Sequence, residues 1–412
     1  MSSRRIEPVE TAAPKLPLPF AEFISLMALL MCITALSIDI MLPSLPDIAA
    51  TLGVSDPSHL PYIISAYMGG LAVGQLVWGP LADKWGRKPP LLLGLALFAA
   101  ATVVAILATS FPALIIARVL QGFGGAAGRV VALAIVRDIV AGRQMARVMS
   151  MVMTVFILVP ILAPAVGQVI VLYGTWRWVF SVLLLVSLAG MAWAALRLAE
   201  TRVPPDPGVE PLTLGGALKL VTRTRITMGY MIASGFMFGG LVAYIASAQQ
   251  IFAGAYGLGK LFPFAFGGVA CAMAAASFTN SRLVQRLGMR RLSHTALCCF
   301  LAVSGLLSLL AFVRPLPLAM ALAGIGLCFF LYGMVLSNFN AIAMQPVGQA
   351  AGMAASLIGS YTTAVGALLG TLIARSYNGS ALPLLVGFAM LAFCALLTVI
   401  LTEGRAGLFR GE

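Results

Sequence analysis

Long apolar stretches recur down the whole 412-residue chain, and this recurrence restricts the fold more than any single motif does. A helix needs about 20 predominantly apolar residues to cross a bilayer. By that measure about twelve spans are predicted, near residues 20–43, 61–82, 90–110, 112–136, 147–172, 176–197, 226–250, 259–280, 292–313, 318–340, 351–374 and 382–402. Apolar residues make up 61% of the chain and charged ones only 9%, the composition of an integral membrane protein. The runs are continuously apolar, whereas strands of a membrane β-barrel alternate between lipid-facing and lumen-facing residues. The predicted class is therefore all-α, with twelve transmembrane helices.

The basic residues give an orientation, because Lys and Arg resist translocation and collect on the cytoplasmic side. With both termini inside, all but six of the 26 Lys and Arg residues fall on cytoplasmic segments. Arg177, Lys260, Arg314 and Arg375 lie at the opposite face, and Arg118 and Arg129 lie within spans. The formal charge of +13 is thus read as topology, with contact to anionic membrane lipids as a by-product. A nucleic-acid partner is not expected, since that role needs a basic face on a soluble domain. Arg4-Arg5 is followed by Ile6, Glu7 and Pro8 without the apolar core of an export signal, so the first span is expected to be retained. The six cysteines sit in apolar spans and read as packing residues. His59 and His294 stand near span ends without a second ligand at metal spacing. No paired acids, metal ligands or nucleophile with a base occur, so neither an enzyme nor a cofactor is expected.

The segment from Arg197 to Arg225 carries Pro204, Pro205, Pro207 and Pro211, several charges and an amphipathic stretch around Leu212 to Leu220. It reads as a linker. The expected organisation is a cytoplasmic tail over 1–19, a six-helix bundle over 20–198, a cytoplasmic linker over 199–225, a second six-helix bundle over 226–403 and a tail over 404–412. The halves look like distant copies. Ser281 to Arg291 follows the eighth span as Gly79 to Lys88 follows the second, with Gln285 where Asp83 stands. A repeat half a chain apart is the pattern of duplicated transporter halves, so two pseudo-symmetric bundles are expected.

Chemistry concentrates at a few positions. In Gly79-Pro80-Leu81-Ala82-Asp83-Lys84-Trp85-Gly86-Arg87-Lys88 the small residues let two membrane helices turn back tightly, while Asp83 can face a helix N-terminus or an arginine. Asp39, near the outer end of the first helix, is the only acid well within a span. Arg118, in the outer third of the fourth helix, lies at a similar depth. A charge in hydrocarbon costs ~2.5 to 3.5 kcal/mol or more, so such groups face a partner or a watery cavity. Asp39 is therefore the candidate proton site, with a static Asp39–Arg118 ion pair as the alternative. Arg129 lies eleven residues beyond Arg118, about 16 Å along the axis and within ~20° of the same face. It either shares the cavity or snorkels to the surface. Pro160 and Pro164 bend the fifth helix, and Gly167 permits close approach. A substrate cavity is expected between the halves, with Met41, Tyr62, Tyr67, Arg129, Phe236, Tyr244, Gln249, Tyr332, Asn338 and Tyr361 as candidate lining, each equally readable as packing. With Asp39, Arg118 and Arg129 together, a net charge of about +1 disfavours dications and suits neutral, zwitterionic or weakly anionic amphiphiles.

The Gly79 to Lys88 run resembles the signature loop of the major facilitator superfamily, which joins helices 2 and 3 on the cytoplasmic side. The resemblance implies a secondary transporter gated by Gly79, Asp83, Gly86, Arg87 and Lys88 with Arg137 and Asp138. In it Asp83 docks on the helix beginning near Gly352 or pairs with Arg137. Arg118 to Ala127 resembles the helix 4 motif of proton-coupled members, implying a proton-coupling role for Arg118. Leu158 to Gln168 resembles the antiporter motif of drug exporters, with Ala163 and Gln168 standing at two of its usual glycine positions. Together with Asp39 to Pro43, Arg137-Asp138 and Trp176 to Phe180, the pattern is similar to the bicyclomycin and chloramphenicol resistance (Bcr/CflA) branch of drug:proton antiporters. That implies export of phenicol-like or other amphiphilic antibiotics from a bacterial inner membrane, driven by the proton gradient, by a multi-pass protein functional as a monomer. A proton-coupled importer of a metabolite and a non-transporting receptor remain open as alternatives.

Overall fold

A computed structural model describes residues 18–140, 142–202, 214–407 and 409. Among the described residues there are no strands, and the chain folds into helices α1 (Phe20–Asp39), α2 (Leu45–Thr51), α3 (Pro61–Trp85), α4 (Lys88–Leu107), α5 (Phe111–Ile139), α6 (Gly142–Tyr173), α7 (Trp176–Arg197), α8 (Leu214–Arg223), α9 (Arg225–Gln249), α10 (Phe262–Leu287), α11 (Met289–Val313), α12 (Leu318–Met344), α13 (Ala351–Arg375) and α14 (Leu382–Gly407). All but the short α2 and α8 are long and apolar enough to cross a membrane, which makes twelve spans. A helix satisfies its backbone N–H and C=O groups internally, the requirement that hydrocarbon imposes on any crossing segment.

The spans pack as two six-helix bundles with matching contacts. In the first, α3 packs on α5, α4 on α5 and α7, and α1 on α5, α6 and α7. In the second, α10 packs on α12, α11 on α12 and α14, and α9 on α12, α13 and α14. Each pairing in one half has its counterpart in the other, as duplicated bundles require. The halves meet along two seams that the same relation exchanges, α3 against α13 and α6 against α10. The middle of the expected linker, 203–213 with its four prolines, lies outside the described residues. The amphipathic stretch that follows is α8, which buries Ala217 and Val221 and packs on α9 and α13.

The duplicated loops are built alike. Both α3 and α10 end at a glycine in the left-handed region, Gly86 at φ 93° and Gly288 at φ 76°. An L side chain is strained there, and a Cβ on Gly86 would also press into the Glu200 carboxylate at 2.6 Å. That carboxylate accepts the backbone N–H of Arg87 at 2.7 Å and of Lys88 at 3.1 Å. In the second half Glu403 accepts side chains instead, Arg290 Nε at 2.7 Å and the Tyr230 hydroxyl at 2.7 Å. Tyr230 also bonds His294 Nε2 at 2.8 Å, and His294 Nδ1 accepts the backbone N–H of Phe409 at 3.2 Å. The histidine that stands alone in the sequence is thus buried and fully partnered by α9 and the residues after α14.

Burial pushes the Glu200 carboxyl up, but the N–H groups of Arg87, Arg202, Lys88 and Thr201 outweigh it and hold the group below its ordinary range. A depressed folded-state value contributes stability above the unfolded carboxylate pKa, and that contribution is lost as pH falls through the folded value. The thermal midpoint is therefore expected to fall on acidification below about pH 4.5, and Glu200→Gln should flatten that limb. Parallel pH–melting curves for the two proteins check this, and identical acid limbs would refute it.

Candidate functional site

Asp39 is the last residue of α1, where Pro43 and Pro46 turn the chain into α2. It is 3% exposed, and among the described residues it has no ion pair or hydrogen bond. Tyr244 of α9 lies within reach of its charge.

Arg118 is fully buried in α5 and is occupied elsewhere. Its Nη2 donates to the Ser37 carbonyl at 3.1 Å, its Nε to the Ile63 carbonyl at 3.2 Å and its Nη1 to Gln121 Oε1 at 2.5 Å. Gln121 in turn donates to Thr102 Oγ1 at 2.8 Å, and the guanidinium lies 4.4 Å from the Tyr67 ring centre. Arg118 therefore clamps α1, α3 and α4 to α5. The alternative of a static Asp39–Arg118 pair is corrected: each of the arginine's three side-chain nitrogens bonds a backbone or amide oxygen, and the carboxylate has no partner among the described residues.

Between the bundles lies a cavity of about 310 Å³ that reaches the face carrying the α3–α4 loop. α3 lines it with Gln75, Gly79 and Asp83, α5 with Arg129, Leu133 and Arg137, and α12 with Leu336 and Asn340. α13 adds Ser356, Thr362 and Thr363. The opposite face is sealed. Ser65 bonds Thr371 across the α3–α13 seam, Gln250 Nε2 donates to the Pro57 carbonyl at 2.9 Å, and the Arg375 guanidinium lies 5.2 Å from the Tyr62 ring centre. Polar pairs continue down the seam, from Ser360 Oγ to the Ala72 carbonyl at 2.7 Å and from Gln75 Nε2 to Thr363 Oγ1 at 3.1 Å.

Of the ten residues predicted to line a cavity, Arg129 alone does so in this conformation. Met41, Tyr67, Tyr244 and Tyr332 are buried, Tyr244 within a ring cluster of Phe252, Phe266 and Phe329. Tyr62, Phe236 and Tyr361 are half-buried. Two of the corrections are errors of helical phase. Asn338 is buried and bonds Asn280 at 2.6 Å, whereas Asn340, two residues and about 200° further round, faces the cavity. Gln249 is half-buried, and its neighbour Gln250 bridges the bundles. Gln75, Ser356 and Thr363 were missed; the only signal was a polar residue inside an apolar span.

The signature loop holds an ion network. Asp83 Oδ1 accepts Arg87 Nη1 at 2.5 Å, and Asp138 accepts Arg87 Nε at 2.6 Å and Nη2 at 3.2 Å. Lys88 Nζ donates to the Ala195 carbonyl at 2.7 Å. Asp83 is thus paired with Arg87, which corrects the expected Asp83–Arg137 contact; the Arg137 guanidinium instead lies beside Gly352 at the start of α13. Side-chain exposure is 8% for Arg87, 13% for Asp138 and 56% for Asp83. Water screens the exposed pair far more than the enclosed one. Asp138→Asn should therefore cost about 2–3 kcal/mol, near the lower limit for breaking a buried pair, and Asp83→Asn less than about 1 kcal/mol. Thermal melts of the two variants in one detergent check the order, and equal losses would refute it.

Pro160 and Pro164 both lie inside α6, and Gly167 follows where a Cβ would run into the carbonyl of Ile40. The antiporter-like segment is therefore packed directly beside Asp39.

Residues 27–371 match the sequence profile described as Major Facilitator Superfamily. The chain is 34% identical to a "Bicyclomycin resistance protein homolog" of Haemophilus influenzae over 92% of its own length and 94% of that protein. It is 28% identical to a "Chloramphenicol resistance protein" of Pseudomonas aeruginosa over 90% and 86% of the two chains. Among solved structures, the xylose transporter XylE from E. coli, in a partially occluded inward-open conformation, aligns with a TM-score of 0.74 over 92% of this chain and 96% of the other. At 12% identity that likeness is one of fold. Two six-helix bundles, the signature loop and a cavity between the halves thus come together with a profile match across most of the chain: this protein is a multi-pass membrane transporter of the Major Facilitator Superfamily.

Proposed function

We propose that the protein exports small amphiphilic drugs, antibiotics among them, in exchange for protons by alternating access. The observation that carries this reading is a cavity open at one face of the bundle pair and sealed at the other, with a buried, unpartnered carboxyl, Asp39, at the end of α1. Rocking of one bundle against the other would exchange the open and sealed faces. Asp39 is assigned the proton, and Arg118 holds the surrounding helices in register. The loop residues Gly79, Asp83, Gly86, Arg87, Lys88, Arg137 and Asp138 latch the bundles in one state. Pro160, Pro164 and Gly167 shape the helix against which Asp39 moves. The names of the resistance-protein relatives support export and antibiotic substrates.

The proposed setting is a bacterial inner membrane, with both termini and the cavity mouth on the cytoplasmic side, a placement that the basic loops support. The protein acts there as a monomer. Its test is proton movement in liposomes under an imposed pH gradient on adding a neutral phenicol. Drug-evoked proton efflux coupled to drug transport supports exchange. Co-directional movement would favour an importer, and drug binding without flux a receptor.

A further inference from the structure

We infer that the cavity holds a receptor for the anionic group of its ligand, centred on Arg129, so that amphiphilic monocarboxylates and similar monoanions belong to the substrate class. This inference rests on the transport reading of the same cavity. At the mouth, charges are balanced: Asp83 and Asp138 face Arg87 and Arg137. Arg129 stands two turns deeper on the same face of α5, with Leu133 between it and Arg137, about 12 Å along the axis. Among the described residues it enters no ion pair or hydrogen bond.

Arg118, also within the membrane, has each of its three side-chain nitrogens bonded, to Ser37, Ile63 and Gln121, so the two intramembrane arginines are not equivalent. A guanidinium with five open donors at this depth is costly unless an anion or water answers it, and its planar fork matches a carboxylate. The cavity wall is apolar at Val130, Leu133, Phe238 and Leu336, with Gln75, Asn340, Ser356, Thr362 and Thr363 as neutral polar handles. A space of about 310 Å³ admits one small body of one or two rings. The matching ligand carries a single negative charge on such a body.

The test uses the full chain in lipid nanodiscs and a matched pair of probes, naphthylacetate and the isosteric neutral naphthylacetamide, titrated by calorimetry. Wild type should bind the carboxylate about tenfold more tightly than the amide. Arg129→Gln should equalise the two while still binding the amide, and Arg129→Lys should keep part of the preference. Equal affinities in wild type would overturn the inference without reference to any variant, and so would a preference that survives in Arg129→Gln. Proton flux evoked by a neutral phenicol, measured on the same preparations, reads the exchange proposal separately. Loss of that flux with the Arg129-dependent preference intact would remove exchange and uphold the anion receptor. Flux without any carboxylate preference would overturn the receptor and leave exchange standing.

Discussion

Asp39→Asn is expected to abolish drug-evoked proton movement in liposomes while leaving the protein folded and able to bind drug. The carboxyl is 3% exposed and lacks a partner among the described residues, so asparagine fits the same space and leaves no opposite charge stranded. An ionised carboxylate without a counter-charge is costly in hydrocarbon, and carrying a proton through the sealed state removes that cost. Asparagine cannot release a proton when the site opens. Coupled flux should therefore fall to the level of protein-free liposomes, with the thermal midpoint near that of wild type. Undiminished flux in the variant would move the proton site to another residue. The same assay run at several membrane potentials tests stoichiometry: one acid carrying one proton against a neutral drug moves net charge, so its rate should respond to potential.

Arg118→Ala should be the most destabilising single change in the first bundle. Removal of the guanidinium leaves the amide oxygen of Gln121 without its donor, takes a bond from the carbonyls of Ser37 and Ile63, and empties the space of a fully buried side chain that ties α1 and α3 to α5. A stranded buried acceptor costs about 1–3 kcal/mol and a large-to-small cavity about 2–5 kcal/mol, so a loss of about 3 kcal/mol or more is expected. Arg118→Lys can refill part of this set and should recover part of the stability. Thermal melting of the purified variants measures both. If Arg118→Ala melts like wild type yet loses proton flux, the residue acts in coupling and its clamp is dispensable.

Much of the architecture was legible in the chain. The spans near 61–82 and 382–402 emerged as α3 and α14 because crossing a bilayer demands a contiguous apolar run, a property of local sequence. The repeat of Gly79 to Lys88 in Ser281 to Arg291 announced the duplicated bundles, and the positive-φ glycines at Gly86 and Gly288 show its backbone basis. The candidate site was only partly legible. Asp39 and Arg118 stood out because charges are rare in spans, but their lack of mutual contact depended on which oxygens the folded helices present to the guanidinium. The lining was mostly misread, because in a chain this apolar nearly every face of a helix looks alike. Asn338 and Asn340 carry identical chemistry, and helical phase alone sends one into the bundle and the other into the cavity.

The sequence by itself determined the spans, the duplicated halves, the turn chemistry of the signature loop and the few charges held in hydrocarbon, since each follows from local composition or spacing. Tertiary structure alone decided that Asp138 pairs with Arg87, that Arg118 serves as a clamp, that Arg129 faces the cavity and that one face of the bundle pair is sealed. Those outcomes depend on groups brought together from positions tens to hundreds of residues apart. In hydrocarbon, where almost every surface is apolar, the partners a polar group meets are set by the docking of helices.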